Sequence, residues 1–413
     1  MTYSAETPSA RRWTFLVFML AFLTATVFLG NSLNPFAPPK QFVFRVFCLL
    51  FALLWVEELL LPERKTQTST RADLPVFLFT MWSAASFLYA GSRILTLNSF
   101  LHLVCGVFVF FIVSRKITGT GQARKLLNLL LIVGLASTFF AVFDFLKIDI
   151  FPWDAMLENR LYSVWAGVKP NLGETLEWDY YFSGRVSSSF GNPVYVAGYL
   201  LMLLPVGVSL FLIERRAAVK IFYAFTTLAL LLHLILTYTR FAWLCFPAGL
   251  LVLFAVPPPA ATRKMLRRNL AWLAAGAVLF TLLAAPFFFR HPVTPGSFSI
   301  SERMRSVLNL RDPSLMERLL IWKTAWEIAK EHPVIGVGLG NFEVYHPIYQ
   351  PRFFHDRHWA EHTSFPHSTH NEYLEILCER GIVGLALFAW FLAAIFVPVW
   401  RFSRPGQRKP ERD

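Results

Sequence analysis

The sequence has little charge and little cysteine. Charged residues make up 16% of its 413 positions, whereas 55% are hydrophobic, and the mean hydropathy is +0.48. Water-soluble domains carry about 25% charged residues, so the composition excludes an ordinary soluble core. Three of the four cysteines fall inside apolar runs and Cys378 stands alone, which shows neither a disulfide framework nor metal-ligand spacing.

Long apolar runs are abundant instead. Ten segments approach the length of about 20 apolar residues that a membrane-spanning helix needs. They predict an all-α fold, a polytopic membrane helical bundle with about ten transmembrane helices. The segments are residues 13–30, 42–61, 74–91, 95–114, 126–146, 193–213, 220–239, 241–257, 269–289 and 381–400.

The net charge of +13 comes from short basic clusters between the apolar runs, which is a pattern of membrane orientation rather than of nucleic-acid binding. Because Lys and Arg are enriched in cytoplasmic loops, the distribution predicts that both termini are cytoplasmic. The clusters are Arg11-Arg12, Arg64-Lys65, Arg115-Lys116 with Arg124-Lys125, Arg215-Arg216, Arg263-Lys264 with Arg267-Arg268, and the tail 401–412. The alternate short connections hold only Lys40, Arg93 and Arg240.

Two long loops fall on the opposite, extracytoplasmic face. The predicted organisation is five transmembrane helices in residues 1–146, a first long loop in 147–192, four helices in 193–289, a large loop in 290–380, and a last helix with a basic tail in 381–413.

The large loop contains a predicted amphipathic helix over 313–331. Apolar residues recur there at helical spacing, at Leu315, Leu319, Trp322, Trp326 and Ala329. Pro313 precedes the run and His332-Pro333 ends it. The tryptophans favour a position at the membrane interface.

Glycines at 336, 338 and 340 follow this helix. Their spacing is not that of a dinucleotide-binding loop, so we interpret them as a tight, close-packed turn. Five histidines come next, and the spacing of His358 and His362 would suit a metal site on a helix. The irregular sequence around them favours ordinary solvated histidines and no metal. The histidines are His355, His358, His362, His367 and His370.

A short helix is predicted to begin at Thr369 or His370. Glu372, Glu375 and Glu379 follow at helical spacing, which we interpret as a solvated helix face rather than as the paired carboxylates of a hydrolase. Gly381 and Gly384 open the last span, where small residues allow helices to approach closely.

The residues around His370 resemble those of the O-antigen ligases and their relatives among O-antigen polymerases and protein-directed oligosaccharyltransferases. Ligases carry His, then Asn, Ser or Gln, nine residues, Gly, two residues, and Gly, Thr or Tyr. His370, Asn371, Gly381 and Gly384 match every position of this pattern. The resemblance covers about residues 180–400.

Two arginines belong to further elements of the resemblance. Arg240, followed after three residues by Leu244, matches a family element at the outer end of a span, and Arg185 lies in a stretch that resembles the approach to the next span. Arginine binds diphosphate through planar, permanently charged donors. The stretch from Arg318 through Trp322 to His332-Pro333 resembles the family's second half. We therefore expect Arg240, Arg318 and Arg185 to bind the donor diphosphate.

The resemblance implies glycan transfer from undecaprenyl diphosphate to a lipid A-core acceptor, on the periplasmic face of a bacterial inner membrane. It implies inversion at the anomeric carbon and needs no metal or other cofactor. A neutral His370 would accept the proton of the attacking sugar hydroxyl, since the ordinary histidine pKa is near 6.5.

One departure concerns the acceptor, because ligases often have two spans after the histidine and this chain has one apolar run there. An O-antigen polymerase using the same lipid-linked donor therefore remains the alternative. A small-solute transporter is the second alternative, although transporters usually place charges in mid-membrane.

Overall fold

The computed structural model describes residues 8–27, 37–60, 69–117, 119–146, 185–255, 259–289, 300–305, 309 and 312–403. Within these ranges every regular element is helical, which confirms the predicted fold class. The α-helices are α1 Pro8–Thr26, α2 Ala37–Leu60, α3 Asp73–Ala85, α4 Arg93–Lys116, α5 Thr120–Leu146, α6 Pro193–Ile213, α7 Ala217–Leu236, α8 Arg240–Ala255, α9 Pro259–Phe289, α10 Ile300–Arg305, α11 Pro313–Glu331, α12 Phe342–Tyr349, α13 Arg357–Ala360 and α14 Glu372–Ser403. Short 3-10 helices lie at Ser86–Leu88, Ser188–Phe190 and Gln350–Phe353.

Each of the ten predicted spans coincides with a helix. Among the described residues, seven helices are long and apolar enough to cross a membrane, and three apolar helices are shorter. The seven are Pro38–Glu57, Arg93–Lys116, Thr120–Leu146, Pro193–Ile213, Ala217–Leu236, Thr262–Pro286 and Glu372–Arg401, and the shorter three are Arg12–Thr26, Asp73–Leu88 and Arg240–Ala255. The chain is therefore a multi-pass membrane protein.

The outer faces of these helices support the same conclusion. Large apolar side chains such as Phe42, Leu53, Leu251, Leu282 and Phe396 are exposed on helix surfaces. In water such a surface would be an extended apolar patch. In a bilayer it is covered by lipid, and the helices satisfy their backbone hydrogen bonds internally.

The chain divides into two compact units. The first comprises Met1–Phe47 with Lys116–Val307. Its core packs α5, α6 and α7 together around Leu131, Leu200 and Leu230. Gly134 permits this close approach, because a Cβ there would lie 2.6 Å from Leu203 Cδ1. Small residues at such contacts are typical of membrane helices.

The second unit comprises Cys48–Arg115 with Leu308–Asp413. Here α14 packs on α3 and on α11, and α11 also packs on α12. The buried core between these helices contains Ile321, Ile328, Phe342 and Cys378. Helix α14 is not continuous, because Gly381 adopts φ 65° and ψ −170° and kinks it.

Helix α11 has the predicted ends. Asp312 caps it by accepting a hydrogen bond from the Ser314 N–H at 3.1 Å, Pro313 takes the first position, and His332 ends it before Pro333. In the apolar row that the sequence placed at the membrane interface, Trp326 is exposed and Ala329 is buried. The other buried residues of α11 are Met316, Leu320, Ile321, Thr324, Ala325 and Ile328, and α11 packs against α12 and α14.

The long loops are described in part. Residues 147–184 of the first loop, and 404–413 of the basic tail, lie outside the described residues. In the second loop, α11, α12 and α13 are helical.

Candidate functional site

His370 has an unusual backbone. Its φ is 53°, a left-handed conformation that non-glycine residues rarely adopt. Only Ser188 and Tyr238 share this property among the described non-glycine residues. Such a conformation costs about 1–3 kcal/mol and persists only where the surrounding structure holds it. Strain of this kind is typical of functional sites.

The residue before His370 is held on several sides. Thr369 is fully buried, and its carbonyl oxygen accepts a hydrogen bond from Trp322 Nε1 at 3.0 Å. Its backbone N–H donates to Glu375 Oε2 at 2.9 Å. Its hydroxyl donates to the Asn371 carbonyl at 2.8 Å and accepts from the Asn371 N–H at 3.1 Å. The positions on both sides of His370 are thereby tied to each other.

Asn371 begins the helix that follows. Its Oδ1 accepts from the Leu374 N–H at 3.3 Å, and its carbonyl accepts from the Glu375 N–H at 2.9 Å. Helix α14 therefore starts at Glu372, so the predicted start at Thr369 or His370 was two to three residues early. A short polar side chain at the second motif position serves this capping role.

Arg318 is the charged neighbour of His370. It lies one helical turn before Trp322 on α11, so both project on the side of the helix that meets Thr369. His370 is exposed, yet partial burial lowers its pKa, and the positive charge of Arg318 lowers it further. Glu317 acts in the opposite direction. The net lowering of the pKa favours the neutral imidazole.

The three loop glycines form the predicted tight turn. Gly336, Gly338 and Gly340 all have positive φ, at 70°, 99° and 74°. A Cβ on Gly336 would lie 2.3 Å from the Glu379 carbonyl carbon, and one on Gly340 would lie 2.3 Å from Ser99 Oγ. Protein atoms thus pack against the loop at Gly336 and at Gly340. The glycines allow this close packing and do not form a nucleotide-binding loop.

The two motif glycines have separate physical reasons. Gly381 forms the kink, and a Cβ there would lie 2.0 Å from the Val334 carbonyl oxygen. Gly384 makes room within its own helix, since a Cβ there would lie 2.4 Å from Arg380 Cβ. Trp82 Nε1 donates to the Arg380 carbonyl at 2.9 Å and links α3 to the kink. The motif spacing thus fixes the distance from His370 to a bend in α14.

The predicted solvated row of glutamates was wrong. Glu372 is exposed, but Glu379 is buried, and its Oε1 accepts from the Phe342 N–H at 3.1 Å. Glu375 is half-buried and bonds to Thr369. The helical spacing of the glutamates could not reveal their burial, because their partners Phe342 and Thr369 lie outside α14. These carboxylates are structural ligands of the backbone rather than a hydrolase pair.

The histidine-rich segment is mostly solvated. His355, His358 and His367 are exposed, and the ring centroids of His358 and His362 are 5.5 Å apart. Across the described part of the chain, no group of three or more His, Cys, Asp or Glu side chains is arranged to hold a metal ion.

Arg185 and Arg240 lie in the first unit, whereas Arg318, His370, Asn371, Gly381 and Gly384 lie in the second. Arg185 braces the turn between α7 and α8: its Nε donates to the Thr237 carbonyl at 3.0 Å and its Nη2 to Thr239 Oγ1 at 3.2 Å. Arg240 is the first residue of α8 and is buried. Tyr238, between the two threonines, has a left-handed φ of 49°.

The stretch that carries Arg185 is anchored to α5. Asp144 Oδ2 accepts from the backbone N–H of Ser187 at 2.7 Å and of Ser188 at 2.9 Å. Ser188 is left-handed at φ 50°, so these bonds stabilise a strained turn. Sequence reasoning missed this role of Asp144, as it missed Thr369 and Trp322, since none belongs to the matched motif.

Residues 225–389 match the protein-family model described as O-antigen ligase. The matched region includes Arg240, Arg318, His370 and both motif glycines, whereas Arg185 precedes it. A comparison with curated proteins finds no match.

Proposed function

We propose that the chain transfers a glycan from undecaprenyl diphosphate to a lipid A-core acceptor. The match of residues 225–389 to the O-antigen ligase family model supports an enzyme of the ligase or polymerase kind in a membrane. The observation that carries the specific proposal is His370, a strained, neutral histidine held beside Arg318.

His370 acts as the general base. The acceptor is a sugar hydroxyl, and a neutral imidazole nitrogen within hydrogen-bonding reach takes its proton as the oxygen attacks. Burial and Arg318 both keep the pKa of His370 below its ordinary value, so the base is unprotonated when the acceptor arrives. The exposure of His370 leaves it accessible to a glycan.

Arginines stabilise the leaving diphosphate. Arg318 supplies a permanent charge next to the base, and guanidinium donors match phosphate oxygens in a bidentate manner. Arg240 is proposed as a further diphosphate ligand on the chemistry of its side chain and on its motif. Arg185 is proposed to act mainly by holding the turn that presents Arg240, since its own donors bond to Thr237 and Thr239.

The bond changes balance without a further reactant. The acceptor oxygen forms a bond to the anomeric carbon of the donor while the bond from that carbon to the diphosphate oxygen breaks. The electron pair leaves with undecaprenyl diphosphate, and the hydroxyl proton goes to His370. Attack from the face opposite the diphosphate inverts the anomeric centre.

We place this chemistry on the periplasmic face of a bacterial inner membrane. The basic clusters support cytoplasmic termini, and the second long loop then falls on the other side. Donor and acceptor are both lipid-anchored, so a catalytic residue next to the last apolar helix lies where their head groups meet.

The test uses purified protein in nanodiscs, with donor lipid glycan and rough lipopolysaccharide. We expect wild-type protein to form ligated lipopolysaccharide, and His370→Ala and Arg318→Ala each to reduce the rate by about a hundredfold or more. His358→Ala and Arg357→Ala are matched controls, because both residues are exposed and outside the proposed machinery. Near-normal transfer by His370→Ala and Arg318→Ala would overturn the proposal.

The acceptor decides between ligase and polymerase. A ligase joins the glycan to rough lipopolysaccharide, whereas a polymerase lengthens the glycan on the carrier lipid in the same reaction mixture. Cells that lack the protein provide a second test. Loss of a ligase leaves long glycan polymer on the carrier lipid, whereas loss of a polymerase leaves lipopolysaccharide capped with a single repeat unit. Solute flux in proteoliposomes without any glycan transfer would identify a transporter instead.

A further inference from the structure

We propose that Glu375, Thr369 and Trp322 form a clamp that keeps His370 in its left-handed conformation, so that Glu375 and Trp322 are positioning residues for glycan transfer. This inference rests on the proposed function of His370. It adds residues that lie outside the matched His-Asn-Gly-Gly motif.

The clamp acts on both backbone groups of Thr369. Glu375 Oε2 fixes its N–H at 2.9 Å, and Trp322 Nε1 fixes its carbonyl at 3.0 Å. These two partners come from different helices, α14 and α11. The N–H belongs to the peptide group that enters Thr369, and the carbonyl belongs to the peptide group that joins Thr369 to His370. Because both peptide groups are held, they cannot rotate to relieve the φ of His370.

The Thr369 side chain closes the clamp across His370. Its hydroxyl bonds to both the N–H and the carbonyl of Asn371, at 3.1 and 2.8 Å. The chain therefore makes a small loop with His370 at its tip. Thr369 is fully buried while His370 is exposed, so the rigid part lies inside and the imidazole points outward from it.

Helix capping does not account for Glu375. Asn371 already caps α14 through its own side chain. A glutamate in an ordinary capping box bonds to the N–H of the capping residue itself. Glu375 reaches two residues further back, to Thr369. That extra reach orders the segment around His370 and not the first turn of the helix.

The expected consequence is a loss of turnover rather than of donor binding. A misplacement of about 1 Å in a reacting group lowers rates by about a hundredfold. Arg318 is untouched by a change at Glu375, so the diphosphate still has its cation. Loss of the clamp therefore lowers kcat and leaves KM for the donor nearly constant.

The experiment compares Glu375→Ala with Glu375→Gln in the full-length protein. Glutamine keeps an acceptor oxygen for the Thr369 N–H, whereas alanine removes it. We expect Glu375→Ala to lower kcat by about tenfold to a hundredfold with KM for the donor within about threefold. We expect Glu375→Gln to retain a kcat within about threefold of wild type. Glu372→Ala is the control, because this exposed glutamate lies one turn earlier on the same helix.

Trp322→Phe provides a second variant if Glu375→Ala does not fold. It keeps an aromatic ring in the core and removes only the Nε1 donor, and we expect the same fall in kcat at constant KM. Normal kcat in folded Glu375→Ala or Trp322→Phe would overturn the clamp, and so would a change confined to KM.

His370→Ala is measured alongside and separates the two proposals. If His370→Ala is inactive while the clamp variants are normal, only the clamp is wrong. If His370→Ala transfers glycan normally, the proposed base is wrong whatever the clamp variants do.

Discussion

Gly381 lies against the backbone of Val334 so closely that an added Cβ would be 2.0 Å from the Val334 carbonyl oxygen. The neighbouring Ile382 N–H donates to the Pro333 carbonyl at 2.9 Å. The segment that follows α11 and the bend of α14 are thus in direct backbone contact. This contact relates the helix that carries Arg318 to the helix that follows His370.

Gly381→Ala should be strongly destabilising. Alanine would meet both a φ of 65° and a backbone atom that cannot move aside. We expect a loss of at least about 2 kcal/mol from these combined effects. Thermal unfolding in detergent would measure it. Gly276→Ala in α9 is the control, since nothing lies within 4 Å of its Cβ position, and an unchanged melting temperature for Gly381→Ala would contradict this prediction.

The dependence of kcat on pH should change in opposite directions when Arg318 and Glu317 are substituted separately. Arg318 lowers the pKa of His370 and Glu317 raises it. The neutral base is lost as pH falls through its pKa. Arg318→Gln should therefore shift the acid limb of kcat to higher pH, and Glu317→Gln should shift it to lower pH. The measurement is the pH at which kcat falls to half of its plateau value in each variant, whatever the height of that plateau. If this pH stays unchanged in both variants, or moves in the same direction in both, His370 is not the titrating base.

Arg185→Gln should weaken donor binding through the turn between α7 and α8. The substitution removes the bonds to Thr237 and Thr239 that brace the turn before Arg240. We expect KM for the donor to rise by about tenfold, a cost of about 1.4 kcal/mol. Arg215→Gln is a matched control on an exposed arginine. A KM equal to that of wild type would show that Arg185 has no part in presenting Arg240.

His346 should make the folded protein sensitive to acid. The residue is fully buried, neither ring nitrogen has a hydrogen-bond partner among the residues that the structure describes, and burial lowers its pKa to about 4. An unfolded chain binds a proton near pH 6.5 and the folded protein does not. Stability therefore falls as pH drops from about 6.5 to 4, by about 3 kcal/mol.

His346→Leu should remove that part of the acid sensitivity. The measurement is the difference in unfolding free energy between pH 7.5 and pH 4.5 for the variant and the wild type. His358→Leu is the control because His358 is exposed. Equal acid sensitivity in wild type and His346→Leu would show that protonation of His346 does not oppose folding.

Hydropathy was sufficient to predict the apolar helices, because it reflects the transfer of side chains between water and lipid. The ends of α11 were predicted from Pro313 and from His332-Pro333, and the helix runs from Pro313 to Glu331. The glycine-rich turn was predicted because only glycine adopts the positive φ of Gly336, Gly338 and Gly340 without strain.

The site geometry was less accessible from the sequence. The left-handed φ of His370 was not predicted, because it depends on tertiary contacts such as the hydrogen bond from Trp322 on α11 to Thr369. Glu375 and Glu379 fit the pattern of a solvated face, and only tertiary contacts with Thr369 and Phe342 show otherwise. Trp322 was assigned to a membrane-facing row, although its indole N–H bonds to Thr369.

The left-handed backbone of His370 has a practical consequence for selection and engineering. Glycine adopts that conformation without the steric cost that histidine bears. His370→Gly should therefore raise the melting temperature while abolishing glycan transfer, and paired melting and transfer assays would check both effects. A library screened for heat resistance alone would be enriched in inactive proteins, so any search for a more robust form of this enzyme has to select for turnover at the same time.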